Sequence, residues 1–157
     1  KDAKQLALLM QEYPVDVIYT SCLKRTQETA QLAFPDRQVQ AIADFDERGF
    51  GQWEGLTADE IEAAFPEVWQ AWLEAPFEVT PPEAEVFSDF QTRVWAATDR
   101  LLDTTEESIA LVAHLGVLRL IYQHLVDREA VFWNIDVPQG RVLLLEERDQ
   151  TWQATLL

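Results

Sequence analysis

Two short apolar runs, each followed by a helical pattern, constrain the fold more than any other feature of the sequence. The first run, VDVIYT at Val15–Thr20, precedes a helical pattern that ends near Ala33, and the second, IALVA at Ile109–Ala113, precedes one over Leu115–Leu125. Short, largely apolar segments of this length are typical of buried strands, and the continuous run IALVA is typical of a strand covered on both faces of a parallel sheet. Strands that alternate with helices are joined by right-handed crossovers. The sequence therefore predicts an α/β fold, a three-layer αβα sandwich with a mostly parallel central sheet.

The rest of the chain completes this pattern without a break that would mark a second domain. With 48% apolar residues among 157, the chain can bury one sizeable core, so we predict a single domain over residues 1–157. The further predicted elements are an amphipathic helix over 1–13, a strand over 38–43, a helix capped by Thr57 and Glu60, a helix beginning at Pro66, a long helix with an apolar stripe from Phe87 to Leu101, and a hairpin that turns around 148–150.

The charge balance excludes one large class of partners. The chain has 12 basic and 28 acidic residues, a net charge of −16, which repels nucleic acids and anionic membrane surfaces. A small anionic substrate is compatible with this charge, because arginines and helix N-termini act locally, within a screening length of about 10 Å. Cys22 is the only cysteine, so no intrachain disulfide can form and we expect a reducing, cytoplasmic location. No window of the sequence approaches the roughly 20 apolar residues of a membrane helix.

Three polar residues follow predicted strands, at the edge of an α/β sheet where ligands bind. Arg25 lies in the first helical turn after VDVIYT, Glu47 lies in the glycine-rich loop after the strand over 38–43, and His114 directly follows IALVA. Because parallel strands bring their carboxyl ends to one edge, we expect these side chains to converge. Together they suit phosphoryl transfer. Each alone also fits an ordinary role, as a surface arginine, a solvated loop carboxylate or a hydrogen-bonded core histidine.

Three ordered segments of the sequence carry a resemblance to a known family: SCLKRTQETA at 21–30, DERGFGQWEGLT at 46–57 and VAHLGVLRLI at 112–121. In order and spacing they resemble motifs of the histidine phosphatase superfamily, the phosphoglycerate mutase-like phosphatases. The WEGLT form of the middle segment is more similar to the phosphatase branch, which includes the α-ribazole phosphatase-like proteins, than to the mutases. The resemblance implies a metal-independent phosphomonoester hydrolase without a cofactor, which acts on a small phosphorylated metabolite through a phosphohistidine intermediate.

The resemblance also implies a role for each of the three residues. Arg25 would be a phosphate-pocket arginine, Glu47 the proton donor to the leaving group, and His114 the second, phosphate-binding histidine. The nucleophilic histidine of the family belongs to an Arg-His-Gly motif on the first strand, and this motif does not occur in the 157 residues. We therefore expect the N-terminal strand, the phosphate loop and the nucleophile to lie upstream of Lys1, and His124 to be a surface residue.

Two departures from the family pattern leave other functions open. Glu83 and Ala84 stand where many relatives carry paired glycines, ahead of an acid kept as Glu85, and Leu115 replaces the glycine that usually follows the second histidine. Such changes are also expected of a catalytically inactive phosphatase-like binding module, and a mutase-type phosphoryl transferase is a further alternative. A cysteine phosphatase is disfavoured, because a glutamate stands six residues after Cys22, where that mechanism requires an arginine.

The aromatic residues do not identify the substrate. Phe50, Trp53, Trp69 and Trp72 fit either an apolar cleft for a bulky leaving group or the packed core. The sequence predicts neither the identity of the metabolite nor an oligomeric state.

Overall fold

The computed structural model describes residues 2–157, with side chains from residue 4 onward. Its helices are α1 (Asp2–Met10), α2 (Lys24–Ala33), α3 (Ala58–Ala64), α4 (Pro66–Glu74), α5 (Phe87–Leu102) and α6 (Leu115–Leu125). Its strands are β1 (Val17–Thr20), β2 (Gln40–Ala41), β3 (Ile109–Val112), β4 (Leu143–Arg148) and β5 (Thr151–Leu156). None of these helices is long and apolar enough to cross a membrane.

The chain divides into two compact units. The first consists of residues up to Glu47 together with Val94–Leu157, and the second consists of Arg48–Arg93. The prediction of a single domain over residues 1–157 stays a prediction.

The first unit contains a parallel sheet in the order β2-β1-β3. Tyr19 at the centre of this sheet pairs with Gln40 on one side and with Leu111 on the other. The predicted α/β fold with a parallel central sheet is confirmed. The strand predicted over 38–43 is shorter than expected, because the chain enters a 3₁₀ turn at Ala43–Phe45.

Helices α1 and α2 cover one face of this sheet. Ile18 of β1 is fully buried in a cluster with Ala30, Ala33 and Phe34, and apolar residues of α1 and β3 pack against the cluster. Side chains two apart on a strand share a face, so the fully buried Thr20 lies on the same side as Ile18. The parallel pairing of β1 with β3 sets the register between these strands. This register determines where their carboxyl ends lie.

Helices α5 and α6 meet at an aromatic corner in the first unit. The indole Nε1 of Trp95 donates to the carbonyl of Leu120 at 2.9 Å, and the ring of His124 stacks on Trp95 with 4.8 Å between centroids. The imidazole of His124 also bonds Asp99 and Arg128, and its side chain is only 12% exposed. The prediction that His124 is a surface residue was wrong, because α5 supplies an aromatic surface that the pattern of α6 alone does not reveal.

The C-terminal hairpin is a separate two-stranded antiparallel sheet of β4 and β5. Arg148 pairs with Thr151, so Asp149 and Gln150 form the turn, with φ of 53° and 66°. Positive φ at both central residues is the turn geometry that matches the twist of a two-residue hairpin. The predicted hairpin and its turn are confirmed.

The second unit begins its helices as the sequence predicts. The hydroxyl of Thr57 accepts from the backbone N–H of Glu60 at 3.1 Å, and the Glu60 carboxylate accepts from the N–H of Thr57 at 2.9 Å, which completes a capping box. Trp53 is 5% exposed and packs against Trp69 and Trp72 at centroid distances of 5.7 and 5.8 Å. Of the two roles left open for these aromatic residues, cleft wall or packed core, Trp53 therefore has the second.

Glu85 connects the first and last residues of the second unit through hydrogen bonds. Its carboxylate receives two hydrogen bonds from Arg93, at 2.8 and 2.9 Å, and its carbonyl receives one from Nε of Arg48 at 3.0 Å. Its own N–H donates to the carbonyl of Gly49 at 2.8 Å. Burial lowers the pKa of Arg48, while the negative charge of Glu85 opposes this shift. The acid kept at this position thus holds together the two ends of the unit's chain.

The loop over 82–84, where Glu83 and Ala84 replace paired glycines, packs tightly on Gly51. Glu83 adopts a left-handed φ of 59°, a conformation that glycine enters without strain. A side chain at Gly51 would collide with the backbone of Pro82, Glu83 and Ala84. The close contact therefore requires glycine at position 51, while Glu83 takes up the left-handed conformation at its own position.

Candidate active site

Three loops at the carboxyl ends of β1, β2 and β3 form the candidate site in the first unit. The N–H of Ser21 donates to the carbonyl of Val112 at 3.3 Å, so the end of β3 continues to hold the chain after β1 ends. The N–H of Cys22 donates to the Asp46 carboxylate at 2.7 Å, which ties the same loop to the segment after β2. The convergence predicted from strand order is therefore built by direct hydrogen bonds between the loops.

His114 lies at the N-cap of α6, but its side chain does not cap the helix. Instead its Nε2 lies 2.9 Å from the hydroxyl of Ser21, which is fully buried. The Ser21 hydroxyl also lies 2.7 Å from the hydroxyl of Thr26 and accepts from the N–H of Leu23 at 3.2 Å. The imidazole is thus held in one orientation from the loop that follows β1.

Glu47 rests on the first turn of α6. One carboxylate oxygen accepts from the N–H of Gly116 at 3.1 Å. A β-carbon at position 116 would collide with this carboxylate, so only glycine lets Glu47 approach the amide. Glu47 therefore lies beside the same helix start that carries His114.

Arg25 lies in the first turn of α2 and is exposed. Its guanidinium forms no hydrogen bond with another residue in the described part of the chain, and its charge acts on His114. A guanidinium in this position, next to the loop that orients His114, suits an incoming anion.

The charges around His114 show that the predicted residues share one electrostatic environment. Burial is the main cause that lowers the pKa of His114; Glu47 opposes it, Arg25 reinforces it, and Asp46 opposes it. Without a ligand, the shift favours a neutral imidazole. A phosphate beside the ring would favour the imidazolium, because a nearby negative charge stabilises the charged form.

The structure thus places Arg25, Glu47 and His114 around one helix start and one loop, as the sequence predicts, while their roles stay predictions. Sequence reasoning missed the side chains of Ser21 and Thr26, which it included only within the segment at 21–30, and it missed Gly116. The signal in the sequence was a pair of hydroxyl residues five positions apart, one before the start of α2 and one in its first turn. Among the side chains that the structure describes, those of residues 4–157, no group of three His, Cys, Asp or Glu has the arrangement of a metal site.

A parallel sheet whose strand ends gather an arginine, a carboxylate and a histidine defines a protein suited to phosphoryl transfer. The family model of the histidine phosphatase superfamily (branch 1) matches residues 1–157, and the chain belongs to that family. The resemblance found in the three sequence segments is confirmed.

Several of the relatives are named as phosphatases. The chain is 32% identical over 144 residues to the adenosylcobalamin/alpha-ribazole phosphatase of Escherichia coli (strain K12), a match covering 89% of this chain and 71% of that one. It is 28% identical to phosphoserine phosphatase 1 of Hydrogenobacter thermophilus, covering 94% and 73% of the two chains. The crystal structure of a putative alpha-ribazole-5'-P phosphatase from E. coli K-12 superposes with a TM-score of 0.90 at 28% identity, covering 99% of this chain and 79% of that one.

Proposed function

We propose that this chain hydrolyses a phosphomonoester by transferring the phosphoryl group first to a histidine and then to water. The observation that carries the proposal is that the Glu47 carboxylate and His114 both lie at the start of α6, and that the charge of Arg25 acts on His114. Membership of the histidine phosphatase superfamily and the phosphatase names of its relatives support it.

The chemistry assigns one task to each residue. In the first step a histidine nitrogen bonds to phosphorus, the bond from phosphorus to the leaving oxygen breaks, and Glu47 donates a proton to that oxygen. In the second step Glu47 takes a proton from water, whose oxygen attacks phosphorus and releases the histidine. Arg25 and the imidazolium of His114 stabilise the charge on the phosphoryl oxygens in both steps.

The nucleophile is proposed to lie on a segment in front of residue 1. The two histidines of the chain are His114 and His124, and both ring nitrogens of His124 are bound to Asp99 and Arg128. Among the described strands β3 pairs only with β1. An additional parallel strand, paired with the side of β3 that faces away from β1, would end where β3 ends. An Arg-His-Gly segment at its carboxyl end would therefore lie close to His114.

The proposed substrate is a small phosphorylated metabolite, and the proposed location is the cytoplasm. The net charge of −16 disfavours polyanions, whereas a single phosphate needs only the local charge of Arg25. Cys22 is a free, exposed thiol, which suits a reducing compartment.

The test compares hydrolysis of p-nitrophenyl phosphate by the 157-residue chain and by a chain extended upstream with its own coding sequence. We expect turnover and an acid-labile phosphoprotein only in the extended chain. In it, Arg25→Ala should reduce kcat/KM at least about 100-fold, while the neighbouring Lys24→Ala serves as the matched control. Equal turnover by both chains, or a coding sequence without an upstream histidine, would overturn the proposed nucleophile. Phosphate binding without turnover in the extended chain would favour the binding module.

A further inference from the structure

A chain of hydroxyl groups leads from His114 into the core of the first unit. Ser21 and Thr26 are 0% and 4% exposed, and their hydroxyl oxygens are 2.7 Å apart. The Thr26 hydroxyl lies 2.9 Å from the carbonyl of Leu23, to which it can donate. The series therefore runs from the His114 Nε2 through two buried hydroxyls to a backbone carbonyl.

The hydrogen bonds of this series can be donated in either direction, toward His114 or away from it. When the Nε2 of His114 carries no proton, Ser21 donates to it, and Thr26 donates to Ser21 or to the Leu23 carbonyl. When Nε2 carries a proton, it donates to Ser21, Ser21 donates to Thr26, and Thr26 donates to the Leu23 carbonyl. Every hydroxyl proton has an acceptor in both arrangements, so neither leaves a buried donor unsatisfied.

Thr26 is the residue that makes the second arrangement possible. Without its hydroxyl, Ser21 can still donate to an unprotonated Nε2. If Nε2 donates instead, the Ser21 proton points into a buried region where the described residues offer no other acceptor. We infer that Thr26 is a positioning residue that lets Ser21 serve His114 as donor or as acceptor, so that the site accepts both imidazole and imidazolium.

This inference rests on the proposed function in one respect: a bound phosphate favours the imidazolium of His114, whereas burial favours the neutral ring when phosphate is absent. The charged groups that act on His114 are Glu47, Arg25 and Asp46. They set the preference between the two states, and a substitution at position 26 leaves all three in place. The hydroxyl series can therefore be tested separately from these charges.

The experiment follows the imidazole signals of the 157-residue chain by NMR as a function of pH, without substrate. Only two histidines are present, so His124→Gln identifies the His114 signals. Thr26→Val keeps the shape of the side chain and removes its hydroxyl, and we expect it to lower the pKa of His114. Thr26→Ser keeps the hydroxyl and should restore the wild-type titration. The ¹⁵N shifts should report the same loss of the Nε2-protonated form.

Thr98→Val is the matched control. Thr98 is 2% exposed, and its hydroxyl donates to the Val94 carbonyl at 2.8 Å, so this variant also loses a buried helical hydroxyl but leaves His114 unchanged. If Thr26→Val does not fold, Thr26→Ala is the second variant without the hydroxyl. A titration of a folded hydroxyl-free variant that coincides with wild type, or an equal shift in Thr26→Ser, would overturn the inference. Absence of turnover in the extended chain bears on the phosphatase proposal alone.

Discussion

Helix α6 carries a histidine at each end, and the two environments differ. At the N-terminal end, His114 uses Nε2 on the Ser21 hydroxyl, and its Nδ1 forms no hydrogen bond within the described part of the chain. At the C-terminal end, His124 uses Nε2 on Asp99 and Nδ1 on Arg128, while its ring lies on Trp95. Both side chains are partly covered. The number of ring nitrogens bonded by neighbouring residues, rather than burial, therefore distinguishes the two histidines.

The largest expected contrast is in catalysis. In the upstream-extended chain, we expect His114→Gln to reduce kcat/KM about 100-fold or more, because it removes a positive donor to the phosphoryl oxygens. His124→Gln should keep activity within about threefold and instead lower the free energy of unfolding by about 1–2 kcal/mol, because it removes the stacking and hydrogen bonds at the aromatic corner. Steady-state kinetics and urea unfolding measure the two effects. Equal losses of activity would remove the contrast between the histidines.

The next largest effect concerns the carboxylate beside His114. Gly116→Ala places a β-carbon where the Glu47 carboxylate lies, so Glu47 must leave the α6 start. We expect kcat in the extended chain to fall about 10–100-fold for alkyl phosphates, whose leaving oxygen needs a proton, and much less for p-nitrophenyl phosphate.

Gly49→Ala is the control for this prediction, since a β-carbon there meets nothing within 4 Å. In a Glu47→Gln background, Gly116→Ala should add little further loss. A uniform loss for both classes of substrate would mean that Gly116 acts on the fold of the helix start rather than on proton donation.

The stability of the first unit should depend on pH through His114. Burial lowers the pKa of this residue from its ordinary value of 6.5, so the unfolded chain takes up a proton there before the folded chain does. Stability is therefore expected to fall as the pH drops below 6.5, until the folded state is protonated as well. His114→Gln should flatten this part of the curve measured by urea unfolding between pH 7.5 and 5.

The positions of Arg25, Glu47 and His114 could be predicted because they depend on topology alone. Each follows a strand of one parallel sheet, and such strand ends share an edge whatever the side chains do. The contact of Gly116 with Glu47 and the hydroxyl pair of Ser21 and Thr26 depend on distances of a few ångströms between side chains, which spacing does not determine.

The α/β class, the capping box at Thr57 and the hairpin turn follow from local patterns, and the structure contains them. The environment of His124 was predicted wrongly because it depends on a contact between two helices rather than on a local pattern. Its neighbours Trp95 and Asp99 lie on α5, and the apolar stripe of α6 carries no information about a ring contributed by another helix.

The smallest expected effect concerns the hydrogen bond between His124 and Asp99, near the C-terminal end of α6. Because Arg128 donates to Nδ1 of His124, the Nε2 carries the proton and donates to Asp99, whose side chain is 66% exposed. Asp99→Asn keeps an oxygen that accepts this bond and removes only a well-solvated charge. We expect a loss of about 0.5 kcal/mol or less in urea unfolding and unchanged hydrolysis. Asp99→Leu removes the acceptor and should cost more, so equal losses in the two variants would show that His124 owes its position to the Trp95 ring alone.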